Sequence, residues 1–259
     1  MVATRVELSV LGGFDVRVNG HPVASRHWSR RDSSALVKLL AITPLRTLHR
    51  EVVMDALWPD LDTDAAAPRL HKAAHYARKH LGHRGAVVLS ANGVSLCPHD
   101  DVRVDLVQFR RHAEDALRSG GVAAAKRALS LYGGELLPRD IYEPWAEPHR
   151  THVHRLHLEM LHQAEDWHQV LAADPADEAA HLALAQQYAM RGDRAAALRQ
   201  LDQLDHAMRE DFDLAPSEQA LDLRAKVIQS DRRHSSSNDP RGVGPDTPAS
   251  ATAELSCCA

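Results

Sequence analysis

The stretch that most constrains this chain is AAAPRLHKAAHYARKHL, residues Ala65–Leu81. Leu70, Ala74, Ala77 and Leu81 recur at i, i+4, i+7 and i+11, which places them on one apolar stripe of an α-helix. Arg69, Lys72, His75, Tyr76 and Lys79 fall on the opposite side. Alanine fills much of the stripe, so such a helix lies close to its support. A slim helix with a basic outer face fits a DNA major groove. An ordinary amphipathic surface helix carries the same pattern, so the flanking sequence has to decide between the two.

The formal net charge of −4 hides an asymmetry. Residues 1–99 hold 13 Lys+Arg against 8 Asp+Glu, a balance of +5, and the remainder holds 18 against 27, a balance of −9. A basic front on an acidic body points to an N-terminal module that binds a polyanion. Only three cysteines occur, Cys97, Cys257 and Cys258, and they have neither disulfide-framework nor zinc-motif spacing. That usage suits a reducing compartment. The opening MVATRVELSV lacks a signal-peptide core, and no apolar run reaches the ~20 residues that span a bilayer. A cytoplasmic protein without a membrane partner is expected.

Ahead of the basic helix, Val6, Leu8 and Val10 alternate with polar residues as in a half-buried strand. Val16 and Val18 form a second strand, Asn19-Gly20 is a hairpin turn, and His21–Ala24 is a third strand. A helix is expected at Ser29–Ile42, capped by Ser29 and stopped by Pro44. Another is expected at Leu48–Trp58, with Leu48, Val52, Ala56 and Leu57 inward. Asp64 would cap the basic helix. After it, VVLSANGVSL places Asn92-Gly93 between two apolar runs, the signature of a type I′ hairpin. Sheet, three helices and hairpin, in that order, make a winged helix-turn-helix, with the hairpin as the wing. Asp60, Asp62 and Asp64 open like a calcium loop, but Ala65 and His71 stand where its glycine and closing glutamate belong.

From Asp101 the character changes, and residues 105–229 are helical in pattern. Ala113, Ala116, Gly120, Ala125 and Leu129 have the small-residue spacing of a tetratricopeptide helix pair. Leu184, Ala185, Tyr188, Gly192, Ala197 and Leu201 have it more clearly. Between them, His149, His152, His154, His157 and His162 lie on one long segment, where they read as solvent-facing side chains rather than metal ligands. Residues 230–259 are rich in Ser, Pro, Gly and Asp and read as a disordered tail. There is no Gly-rich phosphate loop, HExxH or G-x-S-x-G, and no pairing of a nucleophile with a base. No catalytic residue, cofactor or metal is therefore assigned.

At these residues a family resemblance appears. LSVLGGFDVRVNGHPV, MDALWPD and APRLHKAAHYARKHLG resemble the OmpR-type winged-helix DNA-binding domain. ALSLYGGELLP, YEPWAE and EDFDLAPSEQALDLRAKV resemble the bacterial transcriptional activator domain. Together they resemble the Streptomyces antibiotic regulatory protein (SARP) family over roughly residues 5–229. The resemblance implies a mainly α chain with a small β component. Residues 1–99 would be the winged helix, 100–229 an all-α tetratricopeptide-like activator domain, and 230–259 a tail.

By function, the resemblance implies an activator of a secondary-metabolite or other pathway cluster. It would bind promoter direct repeats in double-stranded DNA as a homodimer and recruit RNA polymerase holoenzyme. Arg69, Lys72, His75, Tyr76 and Lys79 match the family's recognition-helix faces, and Arg78 matches a basic position near the DNA backbone. Asn92 and Gly93 would form the wing contact. Pro68 near the start of the helix, and its His and Ala content, depart from the family pattern, so the base preference is not inherited. The alternative from another class is a tetratricopeptide-like adaptor whose front domain no longer reads DNA.

Overall fold

The computed structural model describes residues 4–24, 28 and 30–235, with side chains described except at 211–212 and 230–235. Ser29, the expected cap, and the tail beyond 235 lie outside the described residues. The chain forms two compact units, Met1–Pro175 and Ala176–Ala259. It is mainly α with a small β component: a winged helix-turn-helix followed by helices arranged in pairs.

The first unit opens with β1 (Arg5–Ser9), β2 (Asp15–Val18) and β3 (His21–Pro22). Asn19 (φ 50°) and Gly20 (φ 80°) make the β2–β3 turn, in the doubly left-handed form the dipeptide predicts. The third strand is two residues long, shorter than expected. β7 (Asp101–Val104) pairs in parallel with β1, giving a four-stranded sheet in the order β3-β2-β1-β7.

Three helices follow: α1 (Arg31–Ile42), α2 (Arg50–Leu57) and α3 (Thr63–Leu81). The segment expected to start the second helix is instead a strand, β4 (Thr47–His49). The later start shifts the helix phase. Val53 and Met54 are therefore buried, whereas Val52, expected inward, is 51% exposed. β4 pairs with β6 (Gly93–Leu96), which pairs with β5 (Val87–Leu89), closing the three-stranded wing sheet in the order β4-β6-β5.

The hairpin of the wing is present, but its turn is not the expected one. Ser90 N donates to Gly93 O at 2.9 Å, so Ala91 and Asn92 form the two-residue loop. Neither Asn92 nor Gly93 has a positive φ. Gly93 pairs with His49, and that third strand holds it in extended backbone.

The expected boundary after residue 99 falls inside the first unit. α4 (Asp105–Ser119) begins immediately after β7, and the Asp105 carboxylate accepts from Val10 N at 2.9 and 3.0 Å and from Leu11 N at 3.1 Å. Burial raises the Asp105 pKa, and these amide bonds oppose the shift. α4 pairs with α5 (Val122–Leu129), and the loop beyond returns to β1. There Gly12 N donates to Glu135 O at 2.8 Å and Leu137 N to Val10 O at 2.9 Å. Gly12 (φ 75°) is required at this crossing, because a Cβ there would lie 2.2 Å from Gly133 O.

α6 (Glu147–Gln163) and α7 (Trp167–Ala173) complete the unit. Of the α6 histidines, only His154 is exposed. His157 stacks on Tyr132 with ring centroids 3.8 Å apart, and His149 Nδ1 lies 3.3 Å from the Arg110 guanidinium. The solvent-facing expectation fails because a 17-residue helix in a layered unit has only one outward side.

The second unit holds α8 (Glu178–Met190), α9 (Arg194–Phe212) and α10 (Glu218–Ser235). Asp177 caps α8 and Asp193 caps α9 through their carboxylates, with Gly192 (φ 82°) in the turn. Ala185, Ala197, Leu201 and Leu204 are buried, the small-residue packing of a helical-repeat pair. Arg224 of α10 reaches Asp202 and Asp205 of α9 at 2.6 and 3.4 Å.

Candidate nucleic-acid interface

α3 is built to present one face and bury the other. The Asp62 side chain, two residues before the expected Asp64, accepts from Ala65 N at 2.8 Å and caps the helix. Gly82 (φ 86°) ends it, its N–H donating to Arg78 O. Ala66, Leu70, Ala73, Ala74, Ala77 and Leu81 are each at most 1% exposed, so the stripe read from the sequence is the buried one. Beneath it lie Leu36, Leu40, Val87, Val94 and Leu96 of the same core. At ~25 cal/mol per Å² of apolar surface removed from water, this burial holds the helix in place without any help from its outer residues.

Arg69, His71, Lys72, His75 and Lys79 are exposed on the other side. The remaining expected residues are partly engaged by the protein itself. Arg78 is half-buried, and its Nε donates to Val87 O at 2.7 Å, tying the helix to the wing strand β5. Tyr76 is half-buried, with the Arg30 guanidinium 3.9 Å over its ring and the His75 ring 5.4 Å away. At the wing, Asn92 is exposed, while its carbonyl accepts from Arg50 N at 2.9 Å. Gly93 lies in the strand, behind the tip.

Three further cations join this surface. The Arg50 guanidinium donates to His71 Nε2 at 3.1 Å, linking the start of α2 to the outer side of α3. Arg30 reaches it through Tyr76. Arg84 lines a groove together with His75, Arg78, Lys79, Gly82 and His83. In the sequence these cations sit in loops or at helix ends outside any periodic pattern, and only the general basicity of residues 1–99 hinted at them. The cations of the last turn, Arg78 and Lys79, also complement the negative end of the helix dipole, a role that needs no ligand.

The fold that carries this surface is also found in a solved structure. A chain of Mycobacterium tuberculosis EmbR, determined in complex with a low affinity phosphopeptide, superposes on 88% of this chain with a TM-score of 0.67 at 17% sequence identity. The two share a fold. This chain spans 66% of the length of that one. No family model matches the sequence, and no curated protein matches it. No helix among the described residues is long and apolar enough to cross a membrane.

Proposed function

We propose that this protein is a sequence-specific DNA-binding transcriptional regulator of the SARP type, acting as an activator. The observation that carries the reading is the two-sided α3. Its inner stripe is wholly buried, while Arg69, Lys72, His75 and Lys79 are exposed on one face beside the wing. A helix already fixed by its core needs at most Lys79, for its dipole, and has no structural need for the exposed cations further up its outer side; a polyanion gives that row a use. The shared fold with EmbR supports the reading at the level of architecture.

In this reading Lys72 and His75, at mid-helix, face base edges in the major groove, with Arg69 ahead of them. Lys79 meets phosphate near the helix end. Arg78 and Tyr76 set the helix against β5 and Arg30 and touch DNA with what remains free. Asn92 at the wing tip reaches the flanking backbone, with Gly93 supporting the loop. Residues 1–99 hold the DNA contacts, residues 100–229 form the activator part that meets RNA polymerase holoenzyme, and residues 230–259 are a tail. Binding is to promoter direct repeats as a homodimer in the cytoplasm, and the protein is a regulator rather than an enzyme.

A protein-binding adaptor is the competing reading, favoured by the −9 balance of residues 100–259. A salt titration of binding to the DNA upstream of the neighbouring genes separates the two. Several phosphate contacts give a steep fall in affinity with salt. A flat response, or no binding at low salt, leaves the adaptor.

A further inference from the structure

Where the wing folds back beneath the end of α3, three side chains from two separate segments converge. His83 lies just past Gly82 in the α3–β5 connection, and Cys97 and Asp100 lie in the β6–β7 connection. One donor atom from each, a ring nitrogen, Sγ and a carboxylate oxygen, lie within 4.8 Å of one another. We propose that His83, Cys97 and Asp100 form a binding site for one divalent transition-metal ion of the zinc class, which clips the wing to the end of the recognition helix.

The donor set is the first argument. Thiolate, imidazole and carboxylate together suit a borderline-soft ion such as zinc or cobalt(II), and suit calcium or magnesium poorly. Donors around a tetrahedral zinc stand about 3.3–3.7 Å apart, so the observed spread closes with shifts of about an ångström or less.

The second argument is that one of these donors is enclosed without a hydrogen bond. The His83 Nε2 is buried and makes no hydrogen bond, although Asp100 Oδ2 is only 3.2 Å away. The approach lies outside hydrogen-bond geometry, as for two atoms that face a common point. Cys97 is fully buried; its Sγ makes a weak 3.5 Å contact with Ala86 O and is also hydrogen-bonded to the Asp100 carboxylate, which binds two of the three groups to each other.

The third argument is backbone. Cys97 sits at φ 48°, a left-handed conformation that costs a non-glycine residue energy. It is held there by Cys97 N donating to Ala86 O at 2.9 Å and by Asp100 N donating to Cys97 O at 3.4 Å. The strained turn is what brings Cys97 and Asp100 to the same side. Two features oppose a metal: burial and the neighbouring Asp100 push the Cys97 thiol up to about 12, a cost that the S–metal bond has to offset, and the nearby Arg46 keeps its positive charge although its Nε donates to Leu96 O at 3.3 Å.

On binding, the Cys97 thiol gives its proton to solvent and forms an S–metal bond. His83 coordinates through Nε2 and Asp100 through an oxygen. The 2+ charge is matched by the thiolate and the carboxylate. The fourth position opens to water on the His83 side, where that side chain is 28% exposed.

Cobalt(II) titration of the reduced, chelator-treated full chain tests the site. Expected are a near-ultraviolet thiolate-to-cobalt charge-transfer band that saturates at one equivalent, visible absorption of four-coordinate cobalt, and displacement of both by zinc. The tail thiols are controlled by a C257S/C258S double variant, which keeps the band. C97S loses it, and H83Q and D100N weaken cobalt binding by roughly tenfold or more. Should C97S fail to fold, H83Q and D100N carry the test, with far-ultraviolet circular dichroism reporting their folding. The proposal is overturned if the parent shows no thiolate band, if the band survives in C97S, or if folded H83Q and D100N bind cobalt as the parent does.

Discussion

The Lys38 ammonium lies 2.8 Å from each carboxylate oxygen of Asp140, and the two side chains are only 11% and 17% exposed. Lys38 belongs to α1, the first of the three helices of the winged-helix part, and Asp140 follows the loop that returns from α5 to β1. The pair thus joins the winged helix to the helical part of the same unit, 102 residues further along the chain.

Removing one partner strands the other charge in a poorly hydrated place. Lys38→Met and Asp140→Leu should each destabilise the first unit by about 3–5 kcal/mol, and the double variant should recover much of that loss. Urea unfolding of the two singles and the double measures it. Additive losses would mean that the pair contributes nothing as a pair.

Inner and outer residues of α3 should separate cleanly. Leu70→Ala should cost roughly 2–5 kcal/mol of stability, because Leu70 is 0% exposed. Lys72→Ala and Lys79→Ala should leave the melting temperature unchanged. If Lys72 reads a base, its loss costs cognate DNA about 1–3 kcal/mol and relaxes specificity at one position. Lys79→Ala should instead weaken cognate and scrambled duplexes alike and lower the salt slope by about one. Competition binding decides between them, and parent-like cognate-to-scrambled ratios in both variants would remove Lys72 from the reading role.

Two glycines make opposite predictions. Gly12→Ala forces a side chain into a left-handed conformation and against Gly133 O, and should cost roughly 2–5 kcal/mol. At Gly93 the backbone is extended, and an added Cβ meets the Ser90 hydroxyl at 3.2 Å and, at ordinary contact distance, Leu48 O at 3.7 Å. Gly93→Ala should therefore change stability by less than about 1 kcal/mol in either direction. Thermal melts of the two variants side by side check the contrast.

His157 should make stability fall with acid. Burial, with some help from His154, pushes its pKa down from 6.5 to about 4, so the folded chain holds it neutral where the unfolded chain protonates it. The contribution is whole above pH 6.5 and is lost as pH falls toward about 4. His149 and His152 are shifted downward too, chiefly by burial, and act in the same direction. His157→Phe keeps the stack on Tyr132 and should flatten the pH dependence in that window. An unchanged slope in chemical denaturation across the window would assign the effect elsewhere.

Much of this was legible in the chain, for identifiable reasons. The α3 stripe was readable because one period covers the whole helix, and Asn19-Gly20 because a two-residue turn answers only to itself. Asn92-Gly93 misled because β4, far upstream in the chain, claims that backbone for a third strand through the His49↔Gly93 pairing, with Arg50 N donating to Asn92 O beside it. Tyr76 and Arg78 lie on the outer half of the wheel, yet Arg30 and Val87 engage them from loops and strands that no helical period predicts. The His83, Cys97 and Asp100 cluster was invisible for a related reason: the wing brings it together, and its spacing in sequence resembles no metal motif.

The parallel pairing of β1 with β7, and the grip of Asp105 on Val10 and Leu11, bear on how such a chain can be recombined. A joint cut at residue 99 leaves β1 without its parallel neighbour β7 and two amides without their acceptor. A winged-helix head grafted onto another protein would have to travel with the chain as far as Leu137, whose amide closes on Val10 O. Gene fusions that exchange only the shorter segment inherit a frayed sheet at the joint, whereas those that break at Pro175 carry the head away whole.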